Sequence, residues 1–158
     1  MKVLLTGAGG QLGQALIASA PQELDLVATS RQDLDLADPE ACLSAVQHHQ
    51  PDWVLNAGAY TAVDKAESEP ELAHAVNAGA PEAFAHALKQ QGGRLLQIST
   101  DFVFNGTQGT PYQPMQARDP LGVYGVSKAA GEVAVQNVFG TGGRGLILRT
   151  SWVIGPVG

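Results

Sequence analysis

Apolar and polar positions along the chain switch repeatedly between a compact run and a helical spacing. "KVLLT" (2–6) is a short apolar run, which predicts a strand buried on both faces. "QLGQALIASA" follows with helical character, and "LDLVATS" (24–30) predicts a second strand. "DPEACLSAVQHHQ" opens on Asp38 and Pro39, a helix start with proline at its first position. "DWVLNAGA" (52–59) predicts a third strand running into a glycine-containing loop. "ELAHAVNAGAPEAFAHALKQQ" is alanine-rich and helical, with a bend or break expected at Gly79, Ala80 and Pro81. "GRLLQIST" (93–100) predicts a fourth strand, and "FNGTQGTPYQPMQARDP" a loop. "LGVYGVSKAAGEVAVQNV" predicts a helix with Val123, Val126, Ala130, Val133 and Ala134 on one apolar stripe. "RGLILRTSWVI" predicts a last strand. Strand and helix in alternation imply an α/β fold: a Rossmann-type, doubly wound parallel sheet in three α/β/α layers.

Length and charge narrow this picture. A chain of 158 residues suits one domain with a real core. A formal charge of −6 without a Lys/Arg cluster argues against a nucleic-acid partner, because phosphates need a basic surface. Cys42 stands alone, so no intrachain disulfide forms, which suits a reducing cytoplasm. No apolar run reaches the length of a membrane span.

The turn "TGAGGQLG" (6–13) carries the first chemistry. Gly7, Gly10 and Gly13 follow the first strand and open the first helix. Such spacing permits a tight turn, a close backbone approach to a pyrophosphate and close helix–strand packing. The helix start, at Gln11 and Leu12, then offers free N–H groups to an anion. The second strand ends in Ser30 and Arg31, with no acidic residue at that end to hold a ribose 2′-hydroxyl. Ser and Arg suit a 2′-phosphate, hence NADPH, with NADH as the alternative cofactor. Alternatively, Arg31 is a solvated loop charge. Asp35 and Leu36 come shortly after, within reach of an adenine.

Thr100 ends the fourth strand, and Ala59, Tyr60 and Thr61 leave the third in the same region. Ligands sit beyond such strand ends in open α/β sheets. Tyr124 and Lys128, in "YGVSK", are four apart and share a helix face. Taken alone they suit a half-buried tyrosine with a snorkelling lysine. Beside the glycine turn they suit carbonyl reduction. Tyr124 delivers a proton, Lys128 lowers the phenol pKa and holds the nicotinamide ribose, and Thr100 orients the carbonyl.

These motifs resemble the extended short-chain dehydrogenase/reductases. Within them, "NAGAYTAVDKAESEPELAHAVNA", "STDFVFNGTQGTPY", "PLGVYGVSKAAGE" and "LRTSW" resemble the dTDP-4-dehydrorhamnose reductase family. The resemblance runs through essentially the whole chain. It implies reduction of dTDP-4-dehydro-L-rhamnose to dTDP-L-rhamnose with NADPH or NADH, in a cytoplasmic route to cell-surface polysaccharide. It implies a catalytic triad at Thr100, Tyr124 and Lys128, with substrate contacts at Thr100, Asp101 and Trp152. Cofactor contacts are implied at the glycine turn including Gln11 and Leu12, at Asp35 and Leu36, and from Ala59 to Thr61. Trp152 is alternatively a packed aromatic on the last strand. Family members run to about twice this length, so residues 1–158 are expected to form an NAD(P)-binding domain without the later sugar-binding part. The full-length protein is a candidate homodimer. Some members are reported to use a first-helix carboxylate in a metal-linked dimer. Ala15 stands at that position, and no metal is expected. A regulatory subunit of methionine adenosyltransferase also resembles this family and works by binding a protein partner. Nucleotide-sugar epimerases and dehydratases are the third alternative.

Overall fold

The computed structural model describes residues 1–155. Five parallel strands form one sheet in the order β2-β1-β3-β4-β5: β1 Lys2–Thr6, β2 Asp25–Thr29, β3 Trp53–Asn56, β4 Arg94–Thr100 and β5 Gly145–Thr150. The connections are helical: α1 Gln11–Ala18, α2 Pro39–His49, α3 Val63–Ala66, α4 Pro70–His74, α5 Ala80–Gln91 and α6 Val123–Phe139. The chain leaves β1 for β2 in one direction and returns from β2 to β3 in the other. Right-handed crossovers therefore put α1 on one face and α2, α5 and α6 on the opposite face. The reversal opens a crevice at the C-terminal ends of β1 and β3, where such sheets take ligands.

The core lies between the sheet and α2, α5 and α6. Leu4, Val54 and Leu95 from the strands meet Val46, Phe84, Leu88 and Val135 from the helices. Registers Leu4↔Val54 and Val54↔Leu95 align these side chains on one face, as the two-residue period requires. The opposite face is only partly covered, since Leu146 and Leu148 of the edge strand β5 stay about half exposed. Asp38 caps α2 as expected, accepting from Glu40 N at 3.0 Å and Ala41 N at 3.1 Å. Cys42 is buried and its thiol is pushed up to about 12, chiefly by desolvation, which leaves it unreactive.

Three elements differ from the sequence expectations. Helical backbone runs without a break through Gly79, Ala80 and Pro81. Instead of a bend, a single wide π turn, Ala75–Gly79, joins α4 to α5. β5 stops at Thr150 rather than continuing to Ile154, and Trp152 takes a positive φ of 51°. The third concerns α6. Val126 and Val133 of the expected apolar stripe are exposed. The buried face carries Gly125, Ser127, Lys128, Ala129, Gly131 and Glu132, followed by Val135, Val138 and Phe139. Close backbone approach selects this face. A Cβ on Gly131 would lie 2.1 Å from the Asn77 carbonyl oxygen, and one on Gly125 2.3 Å from that of Phe102. Small residues and paired polar groups take the inner side, and two valines are left outside.

Candidate active site

The crevice over the strand ends has a volume of about 940 Å³. Its floor at one end is the glycine turn. Gly7 has φ +71°, and a Cβ there would meet Gly58 N and Cα at 2.6 Å. Gly13 does not line the crevice; a Cβ on it would lie 2.1 Å from the Gly7 carbonyl oxygen. α1 starts at Gln11 behind Gly10, which offers no side-chain cap. Its first-turn amides are thus left for solvent or an anion. Gly10, Gln11 and Leu12 line the crevice here.

At the second strand end, Arg31, Asp35 and Leu36 line the crevice and Ser30 does not. Asp33 lies close by without lining the crevice. Asp33 accepts from Ser30 N at 2.8 Å and from Ser30 Oγ at 2.7 Å, which folds its carboxylate back onto the strand end. These hydrogen bonds hold the Asp33 carboxyl below its ordinary range. Asp33 stands three residues after Ser30, and the turn between them returns its carboxylate to the strand end. Ala59, Tyr60 and Thr61 form the next stretch of wall. Asn77, buried in the π turn, fixes this stretch by accepting from Tyr60 N at 2.9 Å and donating to Tyr60 O at 3.0 Å. It also donates to Ser127 Oγ of α6 at 3.0 Å. The signal for Asn77 was a lone amide within an alanine-rich stretch, which must find partners once buried.

Thr100, Asp101, Tyr124, Lys128 and Trp152 all line the far end of the crevice. Thr100 Oγ1 donates to Asp101 Oδ1 at 3.1 Å and accepts from Phe102 N at 3.2 Å. Tyr124 packs edge-on against Phe102, with ring centroids 5.5 Å apart. Trp152 is 91% exposed, so it is not the packed aromatic considered as the alternative.

Lys128 differs from expectation in its setting. Its side chain is buried, and its Nζ donates to the Ile98 carbonyl at 2.7 Å. Burial lowers the ammonium to about 8, opposed by the charge of Glu132. The Tyr124 phenol is not lowered. Desolvation pushes it above its ordinary value, the nearby Thr100 hydroxyl pulls it down, and Asp101 adds to the rise. Desolvation, Thr100 and Asp101 set this value, while the Lys128 ammonium donates to the β4 backbone.

The lysine gives a measurable signature. Between about 8 and 10.5 the unfolded chain holds more protons than the folded one at Lys128, so stability rises with pH across that window. Cys42 and Tyr124, both raised, act in the opposite direction at high pH. The contribution of Lys128 is therefore read as the difference between wild type and Lys128→Met in denaturant unfolding at each pH. A flat difference from pH 7 to 11 would show that the ammonium is not desolvated.

The start of α6 has its own support. Gly122 offers no side-chain cap, and the Glu67 carboxylate, just past α3, accepts from Val123 N at 2.8 Å. Glu67→Ala should cost about 1 kcal/mol, the usual value of a lost N-terminal cap. Thermal unfolding and the exchange rate of the Val123 amide check this, and an unchanged amide would refute the cap.

All 158 residues match the family model described as the RmlD substrate binding domain. A dTDP-4-dehydrorhamnose reductase of Burkholderia thailandensis is 43% identical over 158 residues, covering 100% of this chain and 52% of the relative. The crystal structure of a dTDP-4-dehydrorhamnose reductase from Clostridium acetobutylicum superposes with a TM-score of 0.93 at 34% identity, over 100% of this chain and 56% of that one. The Bacillus anthracis enzyme of the same name, in complex with NADP, gives 0.92 at 35%, over 99% and 55%. The chain thus spans about half the length of the relatives it matches. No helix among the described residues is long and apolar enough to cross a membrane. With the glycine cradle, the crevice and every one of its residues inside the match, the chain belongs to the RmlD substrate binding domain family.

Proposed function

We propose that these residues carry the cofactor half, and the proton-delivering groups, of a reductase converting dTDP-4-dehydro-L-rhamnose to dTDP-L-rhamnose. NADPH is the proposed reductant, with NADH as an alternative. The observation that carries this is the placement of Thr100, Tyr124 and Lys128 at one end of a crevice whose other end is the glycine cradle. The cradle suits a dinucleotide, since Gly7 and Gly13 leave backbone where any Cβ would collide. Arg31 at the β2 end suits a 2′-phosphate. The Bacillus anthracis structure is a complex with NADP, which supports the same choice.

When bound, the nicotinamide supplies the hydride. The protein's own groups do the rest. A phenol held above its ordinary pKa is fully protonated near neutral pH, as a proton donor to a developing alkoxide must be. In this reading Thr100 Oγ1, at the end of β4, turns its proton from Asp101 Oδ1 to the sugar carbonyl and holds it in line with that donor. Lys128 stays mostly charged at neutral pH, below its value of about 8, and beyond the N–H given to Ile98 O it has further donors to offer a ribose hydroxyl. Asp101 and the exposed Trp152, which line the crevice, are the proposed sugar contacts.

The test is an assay of the whole protein with dTDP-4-dehydrorhamnose, following oxidation of NADPH and separately of NADH. Sugar-dependent oxidation is expected, faster with NADPH. Absence of sugar-dependent oxidation with either cofactor would reject the assignment. Residues 1–158 alone should bind cofactor and turn over poorly. Full activity of that piece would show that the sugar pocket lies within it.

A further inference from the structure

Glu132 is completely buried, and none of the chemistry above uses it. It lies one turn beyond Lys128 on α6. Its carboxylate gathers donors from three other elements. Ser99 Oγ of β4 donates at 2.6 Å, and Arg149 of β5 donates through Nε at 2.8 Å and through a terminal nitrogen at 2.6 Å. Arg118, in the segment that joins the Asp101–Val103 turn to α6, adds its Nε. The two arginines reach further. Arg118 donates to Gln136 Oε1 at 2.6 Å, and Arg149 to the Pro114 carbonyl at 3.0 Å. The Arg149 guanidinium also sits 4.9 Å over the Phe104 ring, itself stacked on Tyr112.

The joining segment, residues 104–122, is mostly exposed and rich in Gly, Pro and Gln. It has little apolar surface with which to fix its own position. Yet both its ends carry the crevice wall: Asp101 and Phe102 before it, Tyr124 after it. Burying a carboxylate is costly unless it is fully paired. A burial this complete, satisfied by charged donors from the segment and from β5, is best explained by the arrangement it fixes.

We propose that Glu132 is a positioning residue. Through Arg118 and Arg149 it clamps the strap of residues 104–122 to the ends of β4 and β5, so that Asp101, Phe102 and Tyr124 are held across the crevice as one unit. The kinetic consequence rests on the reductase function proposed above; the clamp itself does not.

The test uses two variants of the whole protein, Glu132→Gln and Arg118→Gln. The second guards against loss of fold, because Arg118 is partly exposed and Glu132 keeps Arg149 when it is gone. Amide hydrogen exchange should quicken within the strap by about tenfold or more in both, the scale of a lost charged hydrogen bond. Exchange in β1 and α1, and the affinity for NADPH measured by fluorescence, should not change. KM for the sugar should rise and kcat fall, with Arg118→Lys recovering part of the loss because it keeps the charge without the fork. An unchanged strap in Arg118→Gln would overturn the clamp, whatever happens to turnover. So would faster exchange spread evenly over the protein in both variants, which marks a stabilising role only. If wild type reduces no sugar while the strap still loosens in the variants, the clamp stands and the reductase assignment falls.

Discussion

Replacing Tyr124 by phenylalanine in the whole protein should lower turnover by about 10²–10⁴-fold, the range for losing a positioned general acid. NADPH affinity should stay as it is. The substitution removes one oxygen and keeps the ring, so the edge-on contact with Phe102 survives. α6 is held independently of the phenol, at the Ser127 hydroxyl by Asn77 and at the Val123 amide by Glu67, so the fold should also survive. Steady-state kinetics beside fluorescence titration of NADPH separate the two effects. Retained turnover would remove Tyr124 as the proton donor and return its pairing with Lys128 to a packing feature. A joint loss of turnover and cofactor binding would show that the phenol serves binding instead.

The second large effect is expected at Gly13. An alanine there would place its Cβ 2.1 Å from the Gly7 carbonyl oxygen, 2.8 Å from the Gly7 carbonyl carbon and 2.9 Å from Ala8 Cα. All three atoms are backbone, so no side chain can swing aside, and either the turn or α1 has to move. Overpacking of this kind costs about 1–3 kcal/mol. The displaced turn is the dinucleotide cradle, so NADPH binding should be lost before the fold is. Gly9 is the internal comparison, because a Cβ there meets nothing within 4 Å, and Gly9→Ala should unfold at the wild-type temperature. Thermal unfolding and NADPH titration of both variants check the contrast. Equal cofactor affinity in Gly13→Ala and wild type would show that the turn does not cradle the dinucleotide.

The strands and the glycine turn were legible in the sequence because each rests on local rules. Apolar runs of strand length mark β1 to β5 to within a few residues, and Asp38–Pro39 marks the start of α2 through its own side chain and ring. Gly10 and Gly13 likewise pack on the Gly7 carbonyl oxygen, a contact between near neighbours in the chain, whereas the approach of Gly7 itself to Gly58 is long-range. The inner face of α6 was not legible, because periodicity assumes that apolar side chains face inward. Here Gly125 and Gly131 touch backbone of Phe102 and Asn77, from segments distant in sequence. Asp33 is a local case instead, its carboxylate returning to Ser30 three residues back.

What the sequence determined by itself is the order of elements, the cradle and the i, i+4 placement of Tyr124 and Lys128. Tertiary structure decided how those groups are set. It joined Lys128 to the Ile98 carbonyl and buried it, so that its ammonium falls to about 8. It also drew Glu132 together with Ser99, Arg118 and Arg149, from four separate elements. The physical reason is that a charge's surroundings are set by desolvation and by partners brought near through folding. Neither is written in the spacing of residues along the chain.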